Sequence, residues 1–335
     1  MITESVQIVT NYNSISNREW EQLLQARTSS YFQTLEAVRF FEATGLETFT
    51  YALRKEDRIV AVLSGIIQKE KGIKSNFTSR AIIYGGPIFS EEMEENDGVE
   101  MLQHLIEALK NEVIYIEFRN LNDYKSYQHI FEKAGFTYHP HLNFHLDCTD
   151  EALMRKRMSK SKLRQVKKSI ATGAEIIEAK NIEQIEAYYA ILLNLYRTKV
   201  KTPLPSFDFF EKLWLRNAAK FLLVQYQGEI VGGVVAPILK GKVIYEWFVC
   251  GKDGMFKNVY PSILATWAAM DYANKNNIPR FDFMGAGKPD EDYGVREFKS
   301  KFGGELVELG RFIHVAKPIL FGIGKKAVQI LKKTT

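Results

Sequence analysis

Residues 53–67 read LRKEDRIVAVLSGII, and residues 224–238 read VQYQGEIVGGVVAPI. In each stretch a short polar turn follows the end of one expected strand and leads into a run rich in β-branched and aliphatic residues. That pattern spells a β-hairpin. The two hairpins lie at an offset of 171 residues. Working outward, YIEFRN at 115–120 resembles RFDFMG at 280–285, an offset of 165. FEKAGFTYH at 131–139 resembles FKSKFGGEL at 298–306, an offset of 167. Three matches in one order at nearly one offset indicate an ancient duplication. The period is too long for a solenoid repeat, so two similar domains are expected, at 1–150 and 151–335.

Each half shows the same alternation of patterns. In the first, helices are expected over 16–26, 34–44, 97–110 and 124–134, and strands over 48–53, 58–68, 80–89, 113–119 and 137–147. In the second, helices are expected over 182–199, 207–219, 261–276 and 295–302. Strands are expected there over 221–227, 229–238, 242–249, 280–284 and 305–315. Short hairpin turns make each sheet mixed but largely antiparallel, flanked by helices, an α/β (α+β) class of fold.

The chain of 335 residues is 46% apolar and 13% aromatic, which supports two packed cores and excludes a disordered polymer. Cys148 and Cys250 form no CxxC pair, so the reading is a reduced, cytoplasmic protein without a disulfide framework. The start, MITESVQIVTNYNS, lacks the apolar segment of a secretion signal. No run approaches the roughly 20 apolar residues that span a bilayer.

The net charge of +5 matters less than its distribution. MRKRMSKSKLRQVKKS at 154–169 carries Arg155, Lys156, Arg157, Lys160, Lys162, Arg164, Lys167 and Lys168, with no acid from Ala152 to Ala174. Leu153, Met158, Leu163, Val166 and Ile170 leave a weak helical stripe, so a basic helix is expected over 151–172. It reads either as a solvated connector or as a surface for an anionic partner: a nucleotide-linked sugar, a tRNA or a lipid pyrophosphate. The tail PILFGIGKKAVQILKK at 318–333 pairs an apolar stripe (Leu320, Ile323, Ala327, Leu331) with Lys325, Lys326, Lys332 and Lys333. It reads as a docked terminal helix or as a peripheral contact with the inner face of the membrane.

REFKSKFGG at 296–304 is a helix end when read alone. Phe298 and Phe302 share a face, Lys299 and Lys301 sit off it, and Gly303 closes the turn. HPHLNFH sets His139, His141 and His145 at even steps on one expected strand, with no companion acid or cysteine spaced for a metal. GxSxG, HExxH and Walker sequences are absent.

The duplicated α/β domain, the basic segment and the FKxxFG ending together resemble the FemABX family. The pieces are KLRQVKKSIATGAEI, LYRTKVKTPLPSFDFFEKL, GGVVAPILKGKVIYEWF, YPSILATWAAMDYANKNNIPRFDFMGAG and REFKSKFGGEL, strongest from about Leu163 to Val307. The resemblance implies two tandem GNAT-fold domains. It also implies amino-acid transfer to a peptidoglycan precursor from aminoacyl-tRNA, with no permanently bound cofactor. It places Lys299 near the acyl-transfer centre, where a fixed ammonium stabilises an oxyanion. It places Arg197, with Lys199 beside it, on substrate phosphate. Tyr245 and Trp247 fall on a cleft-lining strand and Tyr260 just before a helix, to stack on a sugar or base or simply to pack. Asp282 is a candidate to take a proton from the attacking amine. Glu132 stands in the first copy where Lys299 stands in the second, so the chemistry is expected in the second domain.

Acetyl-CoA enzymes of the GNAT fold carry a Q/R-x-x-G-x-G/A loop before a helix. Here the equivalent places read CGKDGMFKNVYPSIL and YGGPIFSEEMEENDG, and neither matches. An acyl-CoA-dependent N-acyltransferase acting on an amino sugar or small metabolite is the second reading. A non-catalytic basic module for tRNA or anionic lipid is the third.

Overall fold

The computed structural model describes residues 6–69 and 78–324. Ala327 and Leu331 of the expected tail stripe, with Lys325, Lys326, Lys332 and Lys333, lie outside them. Among the described residues no helix is long and apolar enough to cross a membrane. The chain forms two compact units, one of Met1–Pro140 with Leu309–Thr335 and one of His141–Glu308.

Among the described residues the first unit holds a single sheet. Its strands are β1 (Val6–Val9), β2 (Glu47–Lys55), β3 (Arg58–Gln68), β4 (Arg80–Gly85), β5 (Ile88–Phe89), β6 (Tyr115–Asn120), β7 (Thr137–His139) and β17 (Arg311–Val315). The order is β1-β2-β3-β4-β6-β17-β7, with β5 also on β3. The opening stretch is the β2–β3 hairpin, antiparallel, with a bulge at Leu53/Arg54. Its turn is made possible by Glu56 in the left-handed region. Helices α1 (Asn17–Leu23) and α2 (Leu35–Ala43) are capped by Ser16 and Thr34, which accept from the third backbone N–H of each helix. They lay Trp20, Leu23 and Val38 over Ala52, Val62 and Ile88. On the other face α3 (Glu95–Leu109) and α4 (Gln128–Ala134) bury Met101, Leu105, Ile130 and Phe131 over Ile83, Ile116 and Phe118.

The second unit holds two sheets. One runs β14 (Phe248–Gly251), β11 (Glu229–Ala236), β10 (Lys220–Tyr226), β9 (Glu175–Glu178). The other runs β12 (Ile238–Leu239), β13 (Val243–Tyr245), β15 (Arg280–Asp282), β8 (Leu142–Asp147), β16 (Glu305–Glu308). Its helices are α5 (Glu151–Arg157), α6 (Lys160–Ala171), α7 (Ile182–Leu195), α8 (Phe207–Leu215), α9 (Pro261–Lys275) and α10 (Gly294–Ser300). The wholly apolar face of α9, with Leu264, Ala265, Ala268 and Ala269, packs onto Val231, Val234 and Phe281.

The two repeats exchange a strand. The expected continuous strand over 137–147 breaks at Pro140, and the expected strand over 305–315 breaks at Leu309–Gly310. Proline has no N–H to continue a ladder and forces its neighbour out of register. Gly310 has a positive φ, and a Cβ there would sit 2.0 Å from the Tyr138 ring, so only glycine makes this turn. As a result β8, expected in the first domain, lies between β15 and β16 of the second unit. Conversely β17, expected in the second, lies between β6 and β7 of the first. Phe312 of β17 stacks on Phe131 of α4 at 3.9 Å between centroids. Burying such a side chain contributes about 2–3 kcal/mol.

The expected helix over 151–172 is also two pieces. It breaks at Met158–Ser159, where the Ser159 hydroxyl accepts from Lys162 N and caps α6.

Candidate active site at a strand divergence

The site grows from the third interrupted strand, expected over 242–249. β13 pairs in parallel with β15, Tyr245 beside Asp282. Glu246 N makes the last bond to that sheet, donating to Asp282 O at 2.9 Å. Trp247 N then donates to Val235 O at 3.1 Å, and the chain continues as β14 on β11. One strand therefore belongs to two sheets, and they part at Glu246. Beyond Asp282 the chain turns away through Met284, Gly285 and Gly287, all with positive φ.

Lys299, on α10, fills this point. Its ammonium donates to Phe283 O and, at 3.0 Å, to Gly285 O. Nζ stands 3.7 Å from Glu246 Oε2, and these side chains are 12% and 1% exposed. Thr266 of α9 donates to Glu246 Oε1 at 2.7 Å. Burial pushes the Glu246 carboxyl up, against the pull of Lys299 and Thr266. Burial pushes the Lys299 ammonium down, against Glu246 and Asp282. Two N–H groups of the ammonium are committed to carbonyls. The ammonium also forms a buried ion pair with the Glu246 carboxylate.

Tyr245, Asp282 and His145 are adjacent across β13, β15 and β8 and share one face of the sheet; Glu246 follows on the opposite face. Asp282 is fully buried and accepts from Asn143 Nδ2 at 2.8 Å and Met284 N at 2.7 Å. His145 Nε2 is 3.0 Å from its other oxygen. Burial raises the Asp282 carboxyl, but His145, Asn143 and the Met284 N–H together hold it below the usual carboxylate range. Such an acid is a poor proton acceptor. Its geometry is that of an anchor for the ring and for the Met284–Gly285 turn. Asn143 Oδ1 extends the network by accepting from Gly285 N at 2.7 Å.

The other expected residues divide. Tyr245 is buried in the core. Trp247 is half-buried against Phe209 and Phe248, at 5.5 and 5.1 Å. Tyr260 is half-buried at the start of α9, and its N–H donates to Ser169 Oγ at 3.0 Å. Arg197 and Lys199 are exposed on a π-turn, Tyr196–Val200, that ends α7. Lys199 lines a groove of about 760 Å³ with Asn194, Thr198, Gly228 and Lys252. His139 lies in the first unit and His145 in the second, so the three histidines share no single strand.

The basic segment sorts in the same way. Arg155 pairs with Glu151 at 2.7 Å and lies over the Trp267 ring at 4.5 Å. Lys162 is buried over the Phe298 ring at 4.0 Å, and burial lowers its ammonium. These two support the fold. Lys156, Arg157, Lys160, Arg164, Lys167 and Lys168 are exposed. Lys160, Arg164, Lys167 and Lys168 share one face of α6 and line a shallow groove of about 430 Å³ with Leu163 and Ala171.

The start of α9 is occupied by the protein itself. Asp253 Oδ1 accepts from Ser262 N at 3.1 Å, and Oδ2 accepts from the Ser262 hydroxyl. A carboxylate thus occupies the N-terminus of α9.

Sequence reasoning missed Glu246, Thr266, Asn143 and His145 as parts of one network. Only Glu246 carried a signal, as an acid between two aromatics in an apolar strand, IYEWF.

Residues 232–333 match the FemAB family. No curated protein sequence matches the chain. The fold is similar to a crystal structure of FemX, with TM-score 0.70 at 12% identity, covering 95% of this chain and 99% of that one. It is similar to the C-terminal domain of a putative lysylphosphatidylglycerol synthetase from Agrobacterium fabrum, with TM-score 0.60 at 12% identity, covering 93% and 97%. It is also similar to a tandem GNAT protein from the clavulanic acid biosynthesis pathway, with TM-score 0.60 at 9% identity, covering 93% and 99%. These findings support an acyl- or aminoacyltransferase. The chain resembles the FemABX family over residues 232–333 and has a tandem GNAT-like fold.

Proposed function

We propose that this protein transfers an aminoacyl group from aminoacyl-tRNA to an amine of a cell-wall or surface-glycan precursor. The observation that carries the reading is Lys299, an ammonium held by two carbonyls and a buried carboxylate where one strand parts between two sheets. An amine attacking an ester carbonyl there develops an oxyanion, and the Lys299 ammonium stabilises it. Asp253 at the start of α9 disfavours a CoA pyrophosphate by charge. The exposed cations of α6 suit the phosphates of a tRNA. Arg197 and Lys199 are the proposed contacts for the phosphate of a nucleotide- or lipid-linked precursor, at the inner face of the membrane.

The test is mass-detected transfer from a pool of aminoacyl-tRNAs to nucleotide-linked muropeptide and amino-sugar acceptors, run beside acetyl-CoA and longer acyl-CoAs. Product from the tRNA pool, lost in Lys299→Met, is expected. Product from acyl-CoA alone would overturn the donor.

A further inference from the structure

Residues 318–324 are helical and belong to the first unit. The segment is fastened beside the start of β6. Ala316 N and Lys317 N donate to Ile114 O at 2.9 and 3.0 Å, and Lys317 Nζ donates to Asn111 O at 2.8 Å. Phe321 meets the Tyr115 ring edge-on at 5.2 Å. These contacts set which way the helix faces. At about 100° per residue, Ile319 and Ile323 fall together on the side opposite Phe321. Their accessibility agrees, since Ile319 is 80% exposed and Ile323 is 52% exposed. Ile319 is the most exposed large apolar side chain among the described residues, and no other two of those exposed stand one helical turn apart.

Charge says what covers this face. No Asp or Glu follows Glu308, whereas Lys317 is followed in sequence by Lys325, Lys326, Lys332 and Lys333. Apolar side chains beside uncompensated lysines suit a partner that is anionic at its surface and apolar just beneath. A nucleic acid offers the charge without the apolar layer. A second copy brings the same lysines, and like charges repel. Two isoleucines alone hold a protein weakly at a bilayer, so the charge is a required second signal.

We propose that this face seats the protein on a bilayer of anionic phospholipid. Ile319 and Ile323 enter below the headgroups, and the lysines that follow neutralise them. The contact lies along the surface; among the described residues no helix is long and apolar enough to cross it. The seat is independent of the transfer chemistry.

Cosedimentation of the full chain with phosphatidylcholine vesicles, with and without phosphatidylglycerol, tests this. Binding is expected only with phosphatidylglycerol and is expected to weaken as salt rises. Ile319→Asp with Ile323→Asp is expected to weaken it at least about 10-fold. The melting temperature is expected to stay unchanged, because both side chains already face water. Lys325→Gln, Lys326→Gln, Lys332→Gln and Lys333→Gln together are expected to weaken binding by about 5-fold for each lysine removed. No binding by the unaltered protein, or equal binding with and without phosphatidylglycerol, overturns the proposal. Full binding by the isoleucine double variant also overturns it, because the attraction is then charge alone, which the cations of α6 also supply. Analytical ultracentrifugation without lipid tests the other occupant: a dimer that the same two substitutions dissociate assigns the face to a second copy and overturns the membrane seat. No arm reads transfer, so failure of the reaction proposed above leaves this test standing, and failure here leaves that reaction standing.

Discussion

Glu117 on β6 and Arg311 on β17 are 194 residues apart in sequence and joined by a 2.6 Å hydrogen bond. Arg119 donates to the other oxygen of Glu117 at 2.9 Å, and the carboxylate is 6% exposed. The three side chains form a charged clasp on the exchanged strand of the first sheet. Burial raises the Glu117 carboxyl, but Arg119 and Arg311 together hold it below its usual value. A carboxyl depressed in the folded state contributes stability above its unfolded pKa, about 4.3, and loses it as pH falls through the folded value. Glu117→Gln is expected to cost about 3 kcal/mol at neutral pH. Its deficit against the unaltered protein is expected to shrink below about pH 4. Chemical denaturation at two pH values checks both.

Lys299→Met is expected to lower turnover about 100- to 1,000-fold. It also strands Glu246, a buried carboxyl left beside Thr266 alone, so it is expected to destabilise the protein by about 3 kcal/mol. Glu246→Gln combined with Lys299→Met is expected to recover part of that stability and none of the turnover. Denaturation midpoints and single-turnover rates on the four proteins separate the two effects.

Acetyl-CoA is expected to leave the melting temperature unchanged, because Asp253 already caps α9. Asp253→Ala is expected to lower the melting temperature by a few degrees and to gain stabilisation by inorganic pyrophosphate. A strong shift of the unaltered protein by acetyl-CoA would count against the cap as a barrier.

The exposed and buried lysines of α6 are expected to behave differently. Lys167→Glu and Lys168→Glu are expected to weaken tRNA binding and to reduce its log–log salt slope by about one for each phosphate no longer neutralised. Lys162→Ala is expected to leave that slope alone and to lower stability by about 1 kcal/mol, because the cation–π pairing with Phe298 is removed. Filter binding across a salt series, with melting curves on the same variants, decides this.

The repeat, the hairpins and the helices were legible because each is a local pattern: period 2, period 3.6, a cap or a short turn. Lys299 stood out as a candidate because the two copies differ at that position, where the first has Glu132. The interruptions were not. The sequence from 137 to 147 alternates well enough for one strand, and only Pro140 hints that it serves two sheets. The network was hidden for a related reason. Asn143 and His145 are far in sequence from Asp282 and meet it only because β8 enters the second unit's sheet. Burial of Tyr245 and Lys162 depends on what packs over them, which periodicity does not report.

The exchanged strand also sets an order for synthesis. As the chain leaves the ribosome, β6 and β7 emerge early, yet the strand that belongs between them follows only after the whole second unit has been made. The first sheet therefore waits with an open slot until Val315 is free, whereas the second closes as soon as Glu308 has emerged. A chain cut near residue 150 has that slot permanently empty and lends its β8 to nothing. Each unit thus takes a strand from the sequence of the other repeat, and the two are not separable by a single cut.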